Sequence, residues 1–260
     1  MRAIWKGFVS FGLVNIPVKL YPATESKSVK FHFLHEKCST PLKYERFCPT
    51  CNRVVPWEET VRGYEYEKGK YAILREEDFA KIPLKTTKRV DIVDFVDEEE
   101  IESVLYEKSY YLSPEESAVK AYAILLMAMQ AMGKVAIAKV AIKEKEHLVV
   151  VRPFRDVLVL QTLFYPDEIR SEKEIRELIR GTEPTQEELK LAKQLIDALA
   201  SKFRPEKYTD QYREALLELI RAKIEGKEPQ PPAMLEASKA KDIMEALRAS
   251  VAVARKKKKA

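Results

Sequence analysis

The chain has 260 residues, 46% apolar and 33% charged, with seven glycines and three cysteines. This composition excludes a disordered chain, a Gly-rich phosphate-loop enzyme and a disulfide scaffold, and the odd cysteine count points to a reducing compartment. The formal net charge of +5 resides in residues 230–260, which hold eight basic and three acidic side chains, while the rest of the chain carries 38 of each.

The opening MRAIWKGFVSF lacks the apolar stretch of a signal peptide. No apolar run approaches the ~20 residues of a membrane span. A cytoplasmic protein without a membrane segment is expected. Its neutral body can bind an anion only if its cations gather on one surface. Residues 27–56 supply such a bias, with six basic groups against two acidic ones. Residues 91–102 carry the opposite bias, seven acids and no base.

A strand-like run covers 3–11. Next, Val14, Ile16, Val18 and Leu20 alternate with Asn15, Pro17, Lys19 and Tyr21, the period of a half-buried strand. Pro17 predicts an edge or a bulge there. Short runs rich in Val, Ile, Phe and Tyr follow at 28–34, 61–66, 70–74, 88–96, 104–112, 135–142, 147–152 and 157–164. Little helix separates most of them, which predicts antiparallel meanders closing into a barrel.

Ser113-Pro114-Glu115-Glu116 reads as a capping box opening a helix that runs through AYAILLMAM to Gly133. Apolar nearly all round, that helix is expected to be buried. Ser171 with Glu174 predicts a short helix ending at Gly181. Thr185 with Glu188 predicts a longer one, in which Leu189, Ala192, Ile196, Leu199 and Phe203 follow a helical repeat. A further helix is expected from about Glu206 to Glu225, closed by Gly226. Lys227 to Pro232 reads as a linker, 233–254 as a weaker helix, and Arg255–Lys259 as a basic end. The fold class is α+β. The expected parts are a core over 1–182, core helices over 183–226, and a linker, weak helix and tail over 227–260.

All three cysteines lie in one segment with the spacing His35-x2-Cys38-x9-Cys48-x2-Cys51. Two close pairs joined by a short connector can wrap one tetrahedral, structural zinc, since zinc favours thiolate and imidazole. His32 competes with His35 as the fourth ligand, and a carboxylate or water would also serve. The acids Asp91, Asp94, Asp97, Glu98, Glu99 and Glu100 would suit a Mg²⁺ site only if they converged from different elements. Their order reads instead as an exposed strand followed by a helix start. No catalytic motif is present, and the protein is read as a non-enzyme.

The opening RAIWKGFVSFGLVNIPVKLYPATE is followed in order by VRGYEYEKGKYAIL, VDIVDFVD, YYLSPEESAVKAY, VLVLQTLFY and PEKYTDQYREALLELIRAKIEGK. Over residues 2–227 this series resembles the prokaryotic Ku family, the DNA-end-binding proteins of non-homologous end joining. The resemblance implies a homodimer in which each β-barrel sends out an arch, and two arches close a ring around double-stranded DNA threaded from a free end. It also implies association with the chromosome and recruitment of the ATP-dependent ligase D through the C-terminal region, here residues 206–247. The basic end would add DNA affinity.

Lys27 and Lys30 match the family's basic strand before the arch. Lys43, Arg46, Arg53 and Arg62, then Lys134 and Lys139, are chosen as DNA contacts for charge and location. Many prokaryotic members lack these cysteines, so the zinc expectation rests on spacing alone. A zinc-stabilised regulator that reads sequence is the alternative, but it needs a reading helix, and the helices here present mainly Glu, Lys and Arg. A Mg²⁺-dependent nuclease using the acidic run is the third reading.

Overall fold

The computed structural model describes residues 1–82, 88–142, 145–227 and 243–259. They form two compact units, Met1–Arg170 and Ser171–Ala260, so the first helix after the barrel belongs to the helical unit. Of the expected linker, residues 228–232 lie outside the described residues, as do 233–242 of the expected weak helix.

The first unit is built on β1 (Trp5–Phe11), β2 (Val14–Pro22), β3 (Phe47–Cys48), β4 (Arg53–Val54), β5 (Arg62–Glu67), β6 (Lys70–Leu74), β7 (Arg89–Asp97), β8 (Tyr106–Pro114), β9 (Lys134–Ile142), β10 (Lys145–Phe154) and β11 (Val157–Leu163). Seven of these close a barrel in the order β1-β2-β8-β11-β10-β9-β7. Every pair is antiparallel except the closing one, where β1 runs parallel to β7 with Val9 opposite Val90. The expected barrel is therefore present, but its seam is parallel and joins strands far apart in sequence.

The alternating apolar positions fill the barrel. Ile16, Val18, Leu20, Val90, Leu112, Val140, Val149, Val151, Leu158 and Leu160 are all fully buried in one cluster. At the seam, a Cβ on Gly7 would stand 2.1 Å from Lys88 O and 2.4 Å from the Trp5 ring, so β1 needs glycine there. The Trp5 indole N–H donates to Ala141 O at 3.1 Å, tying β1 to β9.

Three local expectations are corrected. Pro17 lies within a paired stretch of β2 rather than at an edge, half-buried on the outer face opposite Phe8. It is tolerated because the pairing of β2 with β8 begins only at Val18, so no ladder donor is required on that side. Residues 28–34 form no strand beyond a single bridge from Leu34 to Pro41, because no neighbouring strand lies alongside to satisfy the backbone. Ser113 caps no helix. It pairs with Lys19 in the ladder of β8, and a short 3₁₀ turn at Glu116–Ala118 intervenes.

Among the described residues two α-helices lie in this unit, α1 (Glu76–Phe79) and α2 (Val119–Met132). α2 ends on Gly133 at φ 63°. It is buried on one side only, through Tyr122, Leu125, Leu126 and Met129, whereas Ile124 and Met127 stay exposed. The all-round burial expected from its composition is not found. A helix lying on the barrel has one covered face, whatever its composition.

The second unit comprises α3 (Lys173–Ile179), α4 (Gln186–Leu199), α5 (Gln211–Ile224) and α6 (Ile243–Lys259). Thr185 and Glu188 form the expected reciprocal cap of α4. The start of α5 falls at Asp210, whose carboxylate accepts from Arg213 N at 2.9 Å, later than the expected Glu206. α6 packs on α4 with Val251 and Ala254 buried, and Arg248 reaches Glu187 at 2.8 Å.

Candidate nucleic-acid interface

Between β2 and β7 the chain leaves the barrel as an arch. Not one described residue between Leu20 and Val90 is buried. The arch is held by local devices instead: the two-stranded sheets β3–β4 and β5–β6, reverse turns, and stacked arginines.

Six of the eight predicted cations lie on it. Among the described residues Lys30, Lys43 and Arg46 make no ion pair with a carboxylate, while Lys27 pairs with Glu25, Arg53 with Glu59, and Arg62 with Glu76 at 3.4 Å. Arg46 stacks on Trp57, its guanidinium carbon 4.5 Å from the ring centroid, and Arg62 does the same on Phe79 at 4.6 Å. Stacking holds the Arg46 guanidinium in one orientation with its N–H edge available for an anion, whereas that of Arg62 is engaged by Glu76.

Lys134 and Lys139 lie elsewhere, on β9, which pairs with the acidic β7. Lys134 faces Asp97 and bonds its Oδ2 at 2.8 Å; Lys139 is opposite Asp91 and approaches Glu146 at 3.7 Å. Carboxylates already surround both lysines. Two other acids of the run are similarly engaged, Asp91 with Arg89 at 2.7 Å and Glu98 with Arg152.

Sequence reasoning missed one cation. Arg75 joins Arg46 and Arg62 around a cavity of about 450 Å³, walled by Trp57, Val61 and Leu74. Its signal was the hairpin. The turn at Gly69, with φ 78°, sets Arg62 opposite Leu74 and so brings the residue after Leu74 beside Arg62.

The four candidate metal ligands fall on two similar turns. In the first, His35 N–H donates to Thr40 O at 2.9 Å, Ser39 takes φ 51°, and His35 Nδ1 stands 3.1 Å from Cys38 Sγ. In the second, Cys51 N–H donates to Cys48 Sγ at 3.5 Å and Asn52 takes φ 49°. Each turn is thus x2-spaced, with a left-handed residue directly after its second candidate ligand. Hydrogen bonds from Thr40 hold the Cys38 thiol below its ordinary pKa, and those from the Cys51 backbone do the same for Cys48. The neighbouring Cys48 sulfur raises Cys51. The two pairs form separately. Among the described residues no three His, Cys, Asp or Glu side chains are gathered into a metal-holding group. His32 lies on the same exposed segment and joins neither turn.

A closed barrel with a long, exposed, cation-bearing arch defines a distinct class of protein. The family model described as the Ku70/Ku80 beta-barrel domain matches residues 10–191. Curated relatives agree with it. The chain is 48% identical over 256 residues to the non-homologous end joining protein Ku of Symbiobacterium thermophilum, a match covering 98% of this chain and 63% of that one. It is 45% identical to the protein of the same name from Desulfitobacterium hafniense, covering 99% and 90%. For the Archaeoglobus fulgidus protein the identity is 43%, covering 96% and 98%. The chain belongs to the Ku family. It spans less than two thirds of the Symbiobacterium relative but nearly all of the Archaeoglobus one. No helix among the described residues is long and apolar enough to cross a membrane.

Proposed function

We propose that the protein binds ends of double-stranded DNA without reading sequence, as a non-enzymatic homodimeric ring acting in end joining. The observation that carries this reading is the arch. It presents Lys30, Lys43 and Arg46 without carboxylate partners on a segment that the barrel does not cover. Flexible lysines and a stacked arginine suit phosphate oxygens, which give affinity and register but no base identity.

The homodimer is supported by the apolar side chains of the same arch. Phe31, Phe33, Tyr44, Phe47 and Tyr66 are all exposed. So much exposed aromatic surface on one segment marks a contact area, and the simplest cover is a second arch. Two arches and two barrels would enclose a duplex. Ligase D recruitment is assigned to residues 206–247 through the family, and the end Arg255–Lys259 is assigned to additional phosphate attraction.

A structural zinc fits the donor chemistry of the two turns. The 3.1 Å separation of His35 Nδ1 and Cys38 Sγ is near the ~3.6 Å edge of a tetrahedron with ordinary zinc bonds. His35, Cys38, Cys48 and Cys51 would hold it, closing one turn onto the other and bracing an arch that has no core.

The deciding experiment compares binding to a linear duplex with binding to the same sequence as a covalently closed circle. Tight binding to the linear form with little to the circle is expected. Equal binding would remove the ring and leave an open groove.

A further inference from the structure

The cavity formed by Arg46, Arg62 and Arg75 contains more than a phosphate needs. Three arginines and one acid, Glu76, line it, and Arg62 already pairs with that carboxylate at 3.4 Å. One wall is the Trp57 indole, which remains 66% exposed although Arg46 lies over it. Val61 and Leu74 extend that wall, and Thr60 adds a hydroxyl. The volume of about 450 Å³ is within the range of small-ligand sites.

The sheet continues the same chemistry. Arg62 pairs across the hairpin with Leu74, and Tyr64 with Ala72, so Arg62 and Tyr64 lie on one face. Two residues along a strand span about 6.8 Å, close to the step between extended nucleotides. Tyr64 is 67% exposed.

Cationic edges beside open aromatic rings are the recognition chemistry of an unstacked nucleotide. A nucleotide base-paired inside a duplex cannot offer its ring to such a site, because both ring faces are buried in the stack. We propose that this cavity and Tyr64 bind unpaired nucleotides of a single-stranded DNA overhang, so that the arch recognises the structure of the end as well as the duplex behind it. This rests on the DNA-end reading above. An acidic peptide would satisfy the guanidiniums, but it would leave the rings of Trp57 and Tyr64 without a flat partner.

The test uses the full chain and three probes: a blunt duplex, the same duplex with a 3′ tail of about six thymidines, and the free thymidine oligomer. The tailed duplex should bind about tenfold tighter than the blunt one, as expected for one or two stacked bases. Tyr64→Ala should reduce that preference while blunt-duplex affinity changes little. Trp57→Ala, which also releases Arg46, should weaken both probes but the tailed one more, and Trp57→Phe should keep the preference. The oligomer should quench indole emission in the wild type.

Equal affinity for tailed and blunt duplexes would overturn the proposal. So would a Trp57→Ala loss shared equally by both, or dissociation of the Trp57→Ala protein into monomers, which would place this face in the subunit contact. Quenching by an acidic peptide but not by thymidines would overturn it in favour of a protein ligand. If blunt duplex is not bound at all while the oligomer binds and quenches, the DNA-end reading fails and the overhang site stands. If none of the probes binds, both fall.

Discussion

The Tyr122 hydroxyl joins α2 to two barrel strands. It donates to Leu112 O of β8 at 2.7 Å and accepts from Leu158 N of β11 at 2.6 Å, with the side chain buried. Burial pushes the phenol above its ordinary pKa, so the group stays neutral and can fill both roles. Tyr122→Phe keeps the ring but leaves a buried N–H without a partner and removes one donor from a buried carbonyl. The expected cost is about 1–3 kcal/mol of stability, read as a lower denaturant midpoint at unchanged slope. An unchanged midpoint would show that water replaces the hydroxyl. Little of this was legible beforehand. AYAILLMAM announces a helix in contact with a core, but composition does not say that Tyr122 faces two strand ends. Arg75 was hidden for the same reason. Its role depends on a hairpin register, and charge counting along the chain cannot supply that.

At the scale of elements, the strands of the barrel were readable because alternation matches the pleat and one face must be buried. The same alternation misled at 28–34, where Val29, Phe31 and Phe33 keep the period with no sheet to receive them. Ser113 misled in a related way. A serine three residues before a glutamate satisfies a cap pattern, yet its backbone was already engaged with β2.

The metal ligands show the limit of spacing. It located two turns, and the backbone gives each the left-handed residue that a tight ligand turn uses, but joining the turns needs an ion that spacing cannot supply. If zinc braces the arch, purified protein should contain about one zinc per chain. Stripping it with a strong chelator should open the arch to protease while the barrel fragment survives. Cys48→Ser should reproduce that pattern without chelator. Protein containing no zinc, with three freely reactive thiols and a protease pattern indifferent to chelator, would end the idea.

For the whole molecule, charge distribution decides more than net charge. The +5 is carried by the last residues, whereas the body is neutral. Binding by the body must therefore come from a few unpartnered cations and not from a general positive field. Each phosphate neutralised contributes about 0.9 to the slope of log affinity against log salt. Replacing Lys30, Lys43 and Arg46 together by alanine removes three contacts per protomer. In a two-protomer ring the slope should then fall by about 5, with equal losses on unrelated sequences. Replacing Lys134 and Lys139 should change it far less, because Asp97 and Glu146 already offset them. Removing Arg255–Lys259 should weaken binding chiefly at low salt, where five clustered basic charges still attract phosphate over a long Debye length. The decisive comparison is between these variants on linear duplex. If the β9 lysines carry the slope and the arch cations do not, DNA lies against the barrel rather than under the arch. The ring geometry would then have to be redrawn around β7 and β9.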